Sequence, residues 1–274
     1  MTYSEVCTLL ESAGIENNRA EAAMLICRFC NISRVELLKR SSEDFISDEL
    51  DAAVIKRSSH YPLQYILGIW DFCHESYRIN ENTLIPRQDT ERLVELAVEL
   101  LPEGARFIDL CTGSGCVAIS TLAARPDCSA VAVDLFPEVV EIAGENAERN
   151  GVGERLGIMA ADVFAPSFME ELGEFDCIIS NPPYIQSAQI DLLEEELFFE
   201  PRAALDGGAD GLDFYRQIIS VYRRYLKTGG TMLLEIGYDQ ADAVSQIADT
   251  CGYTCEIYKD YGDNDRVAYL RKKP

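Results

Sequence analysis

Residues 106–120 read Arg106-Phe-Ile-Asp-Leu110-Cys111-Thr112-Gly113-Ser114-Gly115-Cys-Val-Ala-Ile-Ser120, and the reading of this stretch decides the fold. RFIDL is an apolar run of strand length, and Val117–Ala124 has the composition of a buried helix. Two glycines form the turn between them. The same strand-then-helix texture continues downstream. Strands are predicted at SAVAVDL (129–135), LGIMAAD (156–162), FDCIIS (175–180) and TMLLEI (231–236). Helices are predicted at Pro137–Asn150, about 212–227 and about 239–250, with one more before the quoted stretch carrying Leu93, Leu96, Ala97 and Leu100. YTCEIYKD and RVAYLRK, separated by Gly262, Asp263 and Asn264, read as two closing antiparallel strands. Near-continuous apolar strands alternating with helices predict a doubly wound α/β fold, its seven-stranded, mostly parallel sheet covered on both faces.

Upstream the texture is different. Val6, Leu9, Leu10 and Ala13 share a helical face, as do Ala22, Leu25, Ile26 and Phe29. Ser33 and Glu36 have capping-box spacing ahead of Leu37 and Leu38, and Ser47 begins another helix through Leu50, Val54 and Ile55. Residues 1–60 are therefore expected to form a small all-α N-terminal domain. Residues 61–90 read as a connector with a short helix (PLQYILG), an extended hairpin arm over 72–80 and a loop, NTLIPRQDTE. Residues 91–274 form the α/β domain.

The 274 residues include 47 acidic and 24 basic side chains, a formal charge of −23. That balance argues against unaided wrapping of DNA or RNA, which needs cations along the phosphates, and against an anionic membrane surface. No apolar run approaches the roughly 20 residues that span a bilayer. The N-terminus has no basic region of the kind that opens a secretory signal. Several of the ten cysteines sit inside apolar periodic runs, as small buried hydrophobes do. A cytoplasmic protein with reduced thiols is expected, with a monomer as the default state.

The glycine turn carries the first chemical signal. Gly113 and Gly115 allow positive φ and close backbone approach to a ligand. Asp134 ends the next strand, 19 residues after Gly115, placed to accept from ribose hydroxyls. This pattern alone leaves a nicotinamide cofactor and S-adenosylmethionine both open. Asp109, at the end of the first strand, favours the second: a carboxylate there can pair with a cationic amino-acid group and would repel a pyrophosphate.

The second signal follows the strand FDCIIS, which runs into Asn181-Pro182-Pro183-Tyr184. Two prolines cannot continue a parallel ladder, so the strand stops at the ligand-binding edge of the sheet. Proline fixes φ and holds the local carbonyls rigidly. Asn181 Oδ1 and the Pro182 carbonyl can each accept one N–H of a planar substrate –NH₂, with Tyr184 offering a flat face. No general base is evident.

This Asn-Pro-Pro-Tyr turn resembles the signature of class I methyltransferases that modify planar nitrogens. The segments PLQYILG (62–68), NTLIPRQDTE (82–91), IDLCTGSG (108–115), SNPPYI (180–185), FEPRAAL (199–205), DGLDFYR (210–216) and DYGDNDRV (260–267) together resemble the peptide chain release factor glutamine methyltransferases. The resemblance implies a class I methyltransferase fold and methyl transfer from S-adenosylmethionine to the glutamine amide of the Gly-Gly-Gln loop in class I release factors. It implies that Thr112, Gly113, Ser114 and Gly115 line the methionine end of the cofactor and that Asp134 takes the ribose. Asp162 and Val163 would border the adenine, Pro86 and Arg87 would close over the cofactor, and Asn181, Pro182, Pro183 and Tyr184 would hold the substrate amide. Three residues depart from the family pattern. Cys111 stands at the usual first glycine of the turn, Gln88 follows Arg87 in place of proline, and Val163 replaces an aromatic that often stacks on adenine.

Other readings carry less. An adenine N6-methyltransferase on DNA or RNA uses the same turn for a flipped base, but the charge of −23 and the lack of a basic recognition domain oppose it. An NAD-dependent oxidoreductase would leave the Asn-Pro-Pro-Tyr turn unexplained. Cys27 and Cys30 have CxxC spacing with no second pair. The acidic run 191–196 reads as a solvated helix face, with contact to a basic partner as its alternative.

Overall fold

The structure is a computed structural model that describes residues 1–273. Its backbone separates into two compact units, Met1–Ile69 with Glu194–Phe199, and Trp70–Leu193 with the chain from Glu200 onward.

The first unit holds five helices: α1 (Tyr3–Ser12), α2 (Asn18–Phe29), α3 (Arg34–Lys39), α4 (Asp48–Ser58) and α5 (Leu63–Leu67). Side-chain caps start three of them. Thr2 with Glu5 and Ser33 with Glu36 close capping boxes, and Ser47 Oγ accepts from the Leu50 N–H, each satisfying donors that the first turn leaves unpaired. Val6, Leu10, Leu25, Ile26, Leu50 and Val54 form the core. Leu9, Leu38 and Ile55 do not join it; all three are exposed, because the helices are short and each turns only a narrow stripe inward. Buried Arg57 bridges Glu21 at 2.5 Å and Glu196 at 2.7 Å. The acidic run is therefore more than a solvated face: its last residue, Glu196, neutralises a buried guanidinium.

The second unit begins at Trp70, inside the first strand of a hairpin, β1 (Ile69–Phe72) and β2 (Glu75–Arg78), which α6 (Gln88–Leu100) follows. The expected extended arm over 72–80 is broken by a turn at Cys73, whose φ is +52°. Then come β3 (Arg106–Leu110), α7 (Cys116–Ala124), β4 (Ser129–Asp134), α8 (Pro137–Arg149), β5 (Leu156–Ala160), α9 (Met169–Leu172), β6 (Phe175–Ser180), α10 (Ser187–Ile190), α11 (Asp213–Val221), β7 (Leu226–Glu235), α12 (Ala241–Thr250), β8 (Tyr253–Lys259) and β9 (Asp265–Lys272). The seven-stranded sheet has the order β5-β4-β3-β6-β7-β9-β8, parallel except at β9. This is the class I methyltransferase architecture. The chain builds outward from β3 through β4 to β5, then returns to place β6 on the other side of β3. The carboxyl ends of β3 and β6 therefore flank the switch point, where such sheets open a crevice.

Among the boundaries that differ from the sequence reading, three are informative. The helix expected to reach residue 227 ends at Val221, and a 3-10 turn (Tyr222–Tyr225) leads directly into β7 at Leu226. Leu226 pairs with Phe175 and Thr231 with Cys177, so the intervening residues, Gly229 and Gly230 among them, are accommodated as a register shift. A glycine pair, which weakens a regular strand, is thus tolerated inside an irregular one. β5 stops at Ala160, since Asp162 turns the chain by accepting the Phe164 N–H at 2.8 Å.

The turn after β3 depends on one close approach. Gly115 has φ +83°, and a Cβ there would lie 2.8 Å from Ile119 Cδ1 and 3.3 Å from Ala143 Cβ, both in the core. Gly115→Ala is expected to cost about 2 kcal/mol, combining left-handed strain with overpacking. Urea unfolding of the cofactor-free protein measures it, and unchanged stability would contradict the close packing of α7 on α8.

Candidate active site at the carboxyl ends of β3 and β6

β3 ends in a backbone that only the local hydrogen bonds make tenable. Cys111, Gly113 and Gly115 have φ values of +60°, +55° and +83°. Cys111 thus stands in the left-handed region that favours glycine. The turn is pinned at successive points. The Thr112 N–H donates to the Val133 carbonyl at 3.0 Å, and the Thr112 hydroxyl donates to Asp109 Oδ2 at 2.6 Å. The Gly113 N–H donates to Asp134 Oδ2 at 2.9 Å. Asn146 on α8 donates to the Ser114 carbonyl at 2.9 Å.

Two adjoining cavities open above this turn, of about 380 Å³ and about 40 Å³. They share Leu84, Cys111, Gly113 and Asn181. The larger is walled by Asp134, Asp162 and Val163 together with Leu135, Phe136, Phe164 and Phe214. Phe164 and Phe214 meet edge to face with centroids 4.9 Å apart. The smaller is lined by Pro86, Arg87, Thr90, Asp109, Thr112 and Ser114.

These residues fit S-adenosylmethionine on their own chemistry. Asp109 is 1% exposed, and its Oδ1 has no hydrogen-bond partner among the described residues, nor has Ser114 Oγ. An orphaned carboxylate oxygen beside an orphaned hydroxyl is a site for an ammonium group. Burial pushes the Asp109 carboxyl up to about 7, with the Thr112 hydrogen bond opposing, and a bound cation would restore its charge. Asp134 keeps lone pairs for hydroxyls while holding Gly113. The aromatic and aliphatic wall suits a flat apolar base, and Phe136, Phe164 and Phe214 supply the rings that position 163 lacks.

Asn-Pro-Pro-Tyr leaves β6 at the same level. Ser180 pairs in register with Leu110, and its hydroxyl donates to the Leu110 carbonyl at 2.6 Å. Asn181 Nδ2 donates to Thr90 Oγ1 at 3.2 Å. Asn181 and Pro183 line the larger cavity, Pro182 is buried between them, and the Tyr184 side chain packs against the sheet core. Burial pushes the Tyr184 phenol up to about 12. The turn is clamped from behind. The Ile185 N–H donates to the Leu205 carbonyl at 2.9 Å and the Gly207 N–H to the Ile185 carbonyl at 2.8 Å. Gln240 Nε2 donates to the Tyr184 carbonyl at 3.0 Å.

The segment over 82–90 is held by Glu200, whose carboxylate accepts from the Ile85 N–H at 3.0 Å and from Arg87. Pro86 and Arg87 are thereby fixed beside the smaller cavity. Every cofactor residue expected from the sequence except Gly115 lines one of the two cavities; Gly115 begins α7 just behind them. Sequence reasoning missed Thr90, Glu200 and Glu235. Thr90 and Glu200 gave no signal of their own. Glu235, a charged residue ending the apolar run Met232–Leu234 at the ligand edge of the sheet, did.

Comparison with known proteins agrees with this geometry. Residues 89–210 match the Methyltransferase small domain family, and residues 3–68 match the PrmC N-terminal domain. The release factor glutamine methyltransferase of Geobacter sulfurreducens is 38% identical over 265 residues, covering 94% of this chain and 91% of the relative. The chain belongs to the release factor glutamine methyltransferase family. Its counterpart in Moorella thermoacetica is 36% identical and covers 98% of this chain and 97% of the relative. A Pyrococcus furiosus methyltransferase crystal structure shares the fold, with a TM-score of 0.54, 17% identity, and coverage of 82% of this chain and 98% of that one. Like its family, the protein is an S-adenosylmethionine-dependent methyltransferase. Among the described residues, no helix is long and apolar enough to cross a membrane.

The raised Asp109 carboxyl has a consequence for stability. Its folded value, about 7, lies above the ordinary 3.8, so the folded state binds this proton more tightly than the unfolded chain. The stabilisation from that proton is complete below about 3.8 and is lost as pH rises through 7. Asp109→Asn is expected to flatten this component of the stability–pH curve of the cofactor-free protein. Parallel curves for the two proteins in denaturant titrations would contradict the burial of an unpaired carboxyl.

Proposed function

We propose that the protein methylates the side-chain amide nitrogen of the glutamine in the Gly-Gly-Gln loop of class I peptide chain release factors. The observation that carries this reading is the placement of Asn181. Its amide stands at the wall shared by both cavities, and its Nδ2 is committed to Thr90, which leaves Oδ1 as an acceptor for a planar –NH₂.

S-adenosylmethionine, when bound, supplies an electrophilic methyl on a sulfonium. A carboxamide nitrogen is a weak nucleophile because its lone pair is delocalised into the carbonyl. Asn181 Oδ1 and the Pro182 carbonyl accept its two N–H groups and turn the nitrogen toward the methyl donor. The rigid φ of Pro182 and Pro183 holds both acceptors in place before substrate arrives. Asp109, Thr112 and Ser114 fix the amino-acid end of the cofactor, and Asp134 fixes the ribose. Leu84 and Pro183 on the cavity wall exclude water. Orientation of this kind can supply up to about 7–11 kcal/mol in favourable systems.

The helical unit is assigned to gripping the release factor. Val35, Leu38, Ile46 and Ile55 are large apolar side chains left in water there, Ile46 at 92% exposure, as recognition surfaces often are. The protein is taken to work as a cytoplasmic monomer without direct nucleic-acid contact, in keeping with its charge of −23.

Labelled S-adenosylmethionine with purified release factor, its Gln→Ala loop variant, DNA and RNA as separate acceptors decides the substrate. Label in the intact factor alone is expected, and label in nucleic acid alone would overturn the reading. Asn181→Ala should lower kcat by about 10²- to 10³-fold, as losing one preorganised hydrogen-bond partner does, with cofactor affinity nearly unchanged. Leu38→Asp with Ile46→Asp should raise KM for the release factor about tenfold or more and leave cofactor binding alone. An unchanged KM would remove the helical unit from recognition.

A further inference from the structure

A buried carboxyl lies behind the Asn-Pro-Pro-Tyr turn and takes no part in the chemistry above. Glu235 is the last residue of β7 and is 2% exposed. Its neighbour Leu234 pairs in register with Ser180, so Glu235 sits beside Asn181 at the ends of adjacent strands. Thr90, in the first turn of α6 and itself buried, accepts from Asn181 Nδ2 at 3.2 Å. The Thr90 hydroxyl and the Asn181 amide are the hydrogen-bonding groups that favour the ionised Glu235 carboxylate. Glu235 Oε2 has no hydrogen-bond partner among the described residues.

We propose that Glu235 is a positioning residue: through the Thr90 hydroxyl it dictates which way round the Asn181 amide lies, keeping Oδ1 toward the substrate. This rests on the methyl-transfer reading above and deepens it. An asparagine amide is nearly symmetrical in shape, and a half-turn exchanges its acceptor for a donor. A hydroxyl can stand on either side of a hydrogen bond, so Thr90 alone does not choose between the two orientations. An ionised carboxylate can only accept. With Glu235 ionised, Thr90 gives its single proton to the carboxylate and must accept from Asn181. The Asn181 N–H groups then face acceptors at both Thr90 and Glu235, and the chain runs one way, from Asn181 through the Thr90 O–H to the carboxylate. With Glu235 protonated, the carboxyl can donate to Thr90, Thr90 can donate to Asn181 Oδ1, and the amide reverses. A reversed Asn181 presents N–H groups to a substrate that also presents N–H groups, and the acceptor is gone.

The surroundings set the pH at which the direction is fixed. Burial is the largest influence and raises the carboxyl; the Thr90 bond and Arg266 on β9 lower it, Asp89 on α6 raises it, and Asn181 lowers it. Cys116 on α7, Tyr184 after β6 and Tyr215 on α11 also face it, all held neutral by burial. Arg266 is shared, since it pairs with Asp260 at 3.1 Å and Asp89 at 3.3 Å, so it only partly compensates Glu235. The carboxyl ends up at about 7. The orienting form is populated above that pH and lost below it.

The test joins kinetics to a readout that needs no methyl transfer. In the wild type, kcat for release factor methylation should fall on the acid side with a midpoint near 7. Glu235→Gln should lower kcat by about 10- to 100-fold, the span of one charge-assisted hydrogen bond, and abolish that acid limb. Its calorimetric affinity for S-adenosylmethionine should stay within about twofold, well under the tenfold that 1.4 kcal/mol represents. Thr90→Ser, which keeps the hydroxyl, should retain activity, whereas Thr90→Val should behave like Glu235→Gln. Independently of any acceptor, the Asn181 side-chain amide resonances should titrate with the same midpoint in the wild type and stay flat in Glu235→Gln. An unaltered acid limb in Glu235→Gln, or an Asn181 signal indifferent to Glu235, overturns the proposal. If the release factor takes no label at all, the functional reading fails while the amide titration still decides the role of Glu235. Should Glu235→Gln not fold, the wild-type titration and the Thr90 pair decide it.

Discussion

The whole site depends on two strands ending at the same height. Leu110 and Ser180 are in register, and the Ser180 hydroxyl bonds the Leu110 carbonyl at 2.6 Å, so β3 and β6 release their chains side by side. The glycine turn that holds the cofactor and the Asn-Pro-Pro-Tyr turn that holds the amide are 68 residues apart from Gly113 to Asn181, yet they share a wall. Parallel pairing makes this possible, because consecutive parallel strands send their carboxyl ends to one edge and the reversal of winding order leaves a gap there. A slip of one residue between β3 and β6 would turn every side chain to the opposite face and separate Asn181 from Gly113. Extensive burial of both strands, with Phe107, Ile108, Leu110, Ile178 and Ile179 essentially inaccessible, makes that slip costly.

Around this edge the protein accepts unfavourable electrostatics. A chain of formal charge −23 nevertheless buries Asp109 and Glu235, each with an oxygen that finds no partner among the described residues. Buried polar atoms without partners are costly and rare in folded proteins, and two so close to one sheet edge mark a place organised for something other than stability. They differ in direction. Asp109 lines the smaller cavity, where a cationic ligand would compensate it. Glu235 lies behind Asn181 and Thr90, where its influence passes through hydrogen bonds. One carboxyl acts on the ligand and the other on the geometry of a neighbouring side chain.

Much of this was legible in the sequence because local rules and tertiary needs agree. RFIDL and FDCIIS are strands with the boundaries expected, since Gly113 comes three residues after the first and Pro182 two residues after the second. Ser33 and Ser47 cap helices as their spacing requires. Disagreement arises where a tertiary contact overrides the local signal. The strand expected to begin at Thr231 begins at Leu226, with Gly229 and Gly230 inside it, because the shift between Phe175 and Cys177 absorbs them. Leu38 and Ile55 fit a helical face yet stay in water. The site divides likewise. Asp134 and Asn181 announce themselves by position at strand ends, whereas Thr90 is recruited across 91 residues of chain and Glu200 across 115, a relation that no local pattern encodes.

Cys111 shows why departure from a motif need not break it. Its φ of +60° is the value that makes glycine the natural occupant, and a side chain in that region costs of order 1 kcal/mol. What compensates is the surrounding network: Thr112 is tied to Val133 and Asp109, and Gly113 to Asp134, so the turn is fixed on both sides of Cys111 by bonds that do not involve its side chain. Its thiol packs against the sheet core, recovering apolar contact that glycine would forgo. The backbone path, set by the flanking hydrogen bonds, is what the cofactor turn requires, and a residue that tolerates the path can occupy it. The same logic separates Gly115 from Cys111. At Gly115 the obstacle is a core side chain 2.8 Å from any Cβ, which no hydrogen bond can relieve, and there glycine is kept.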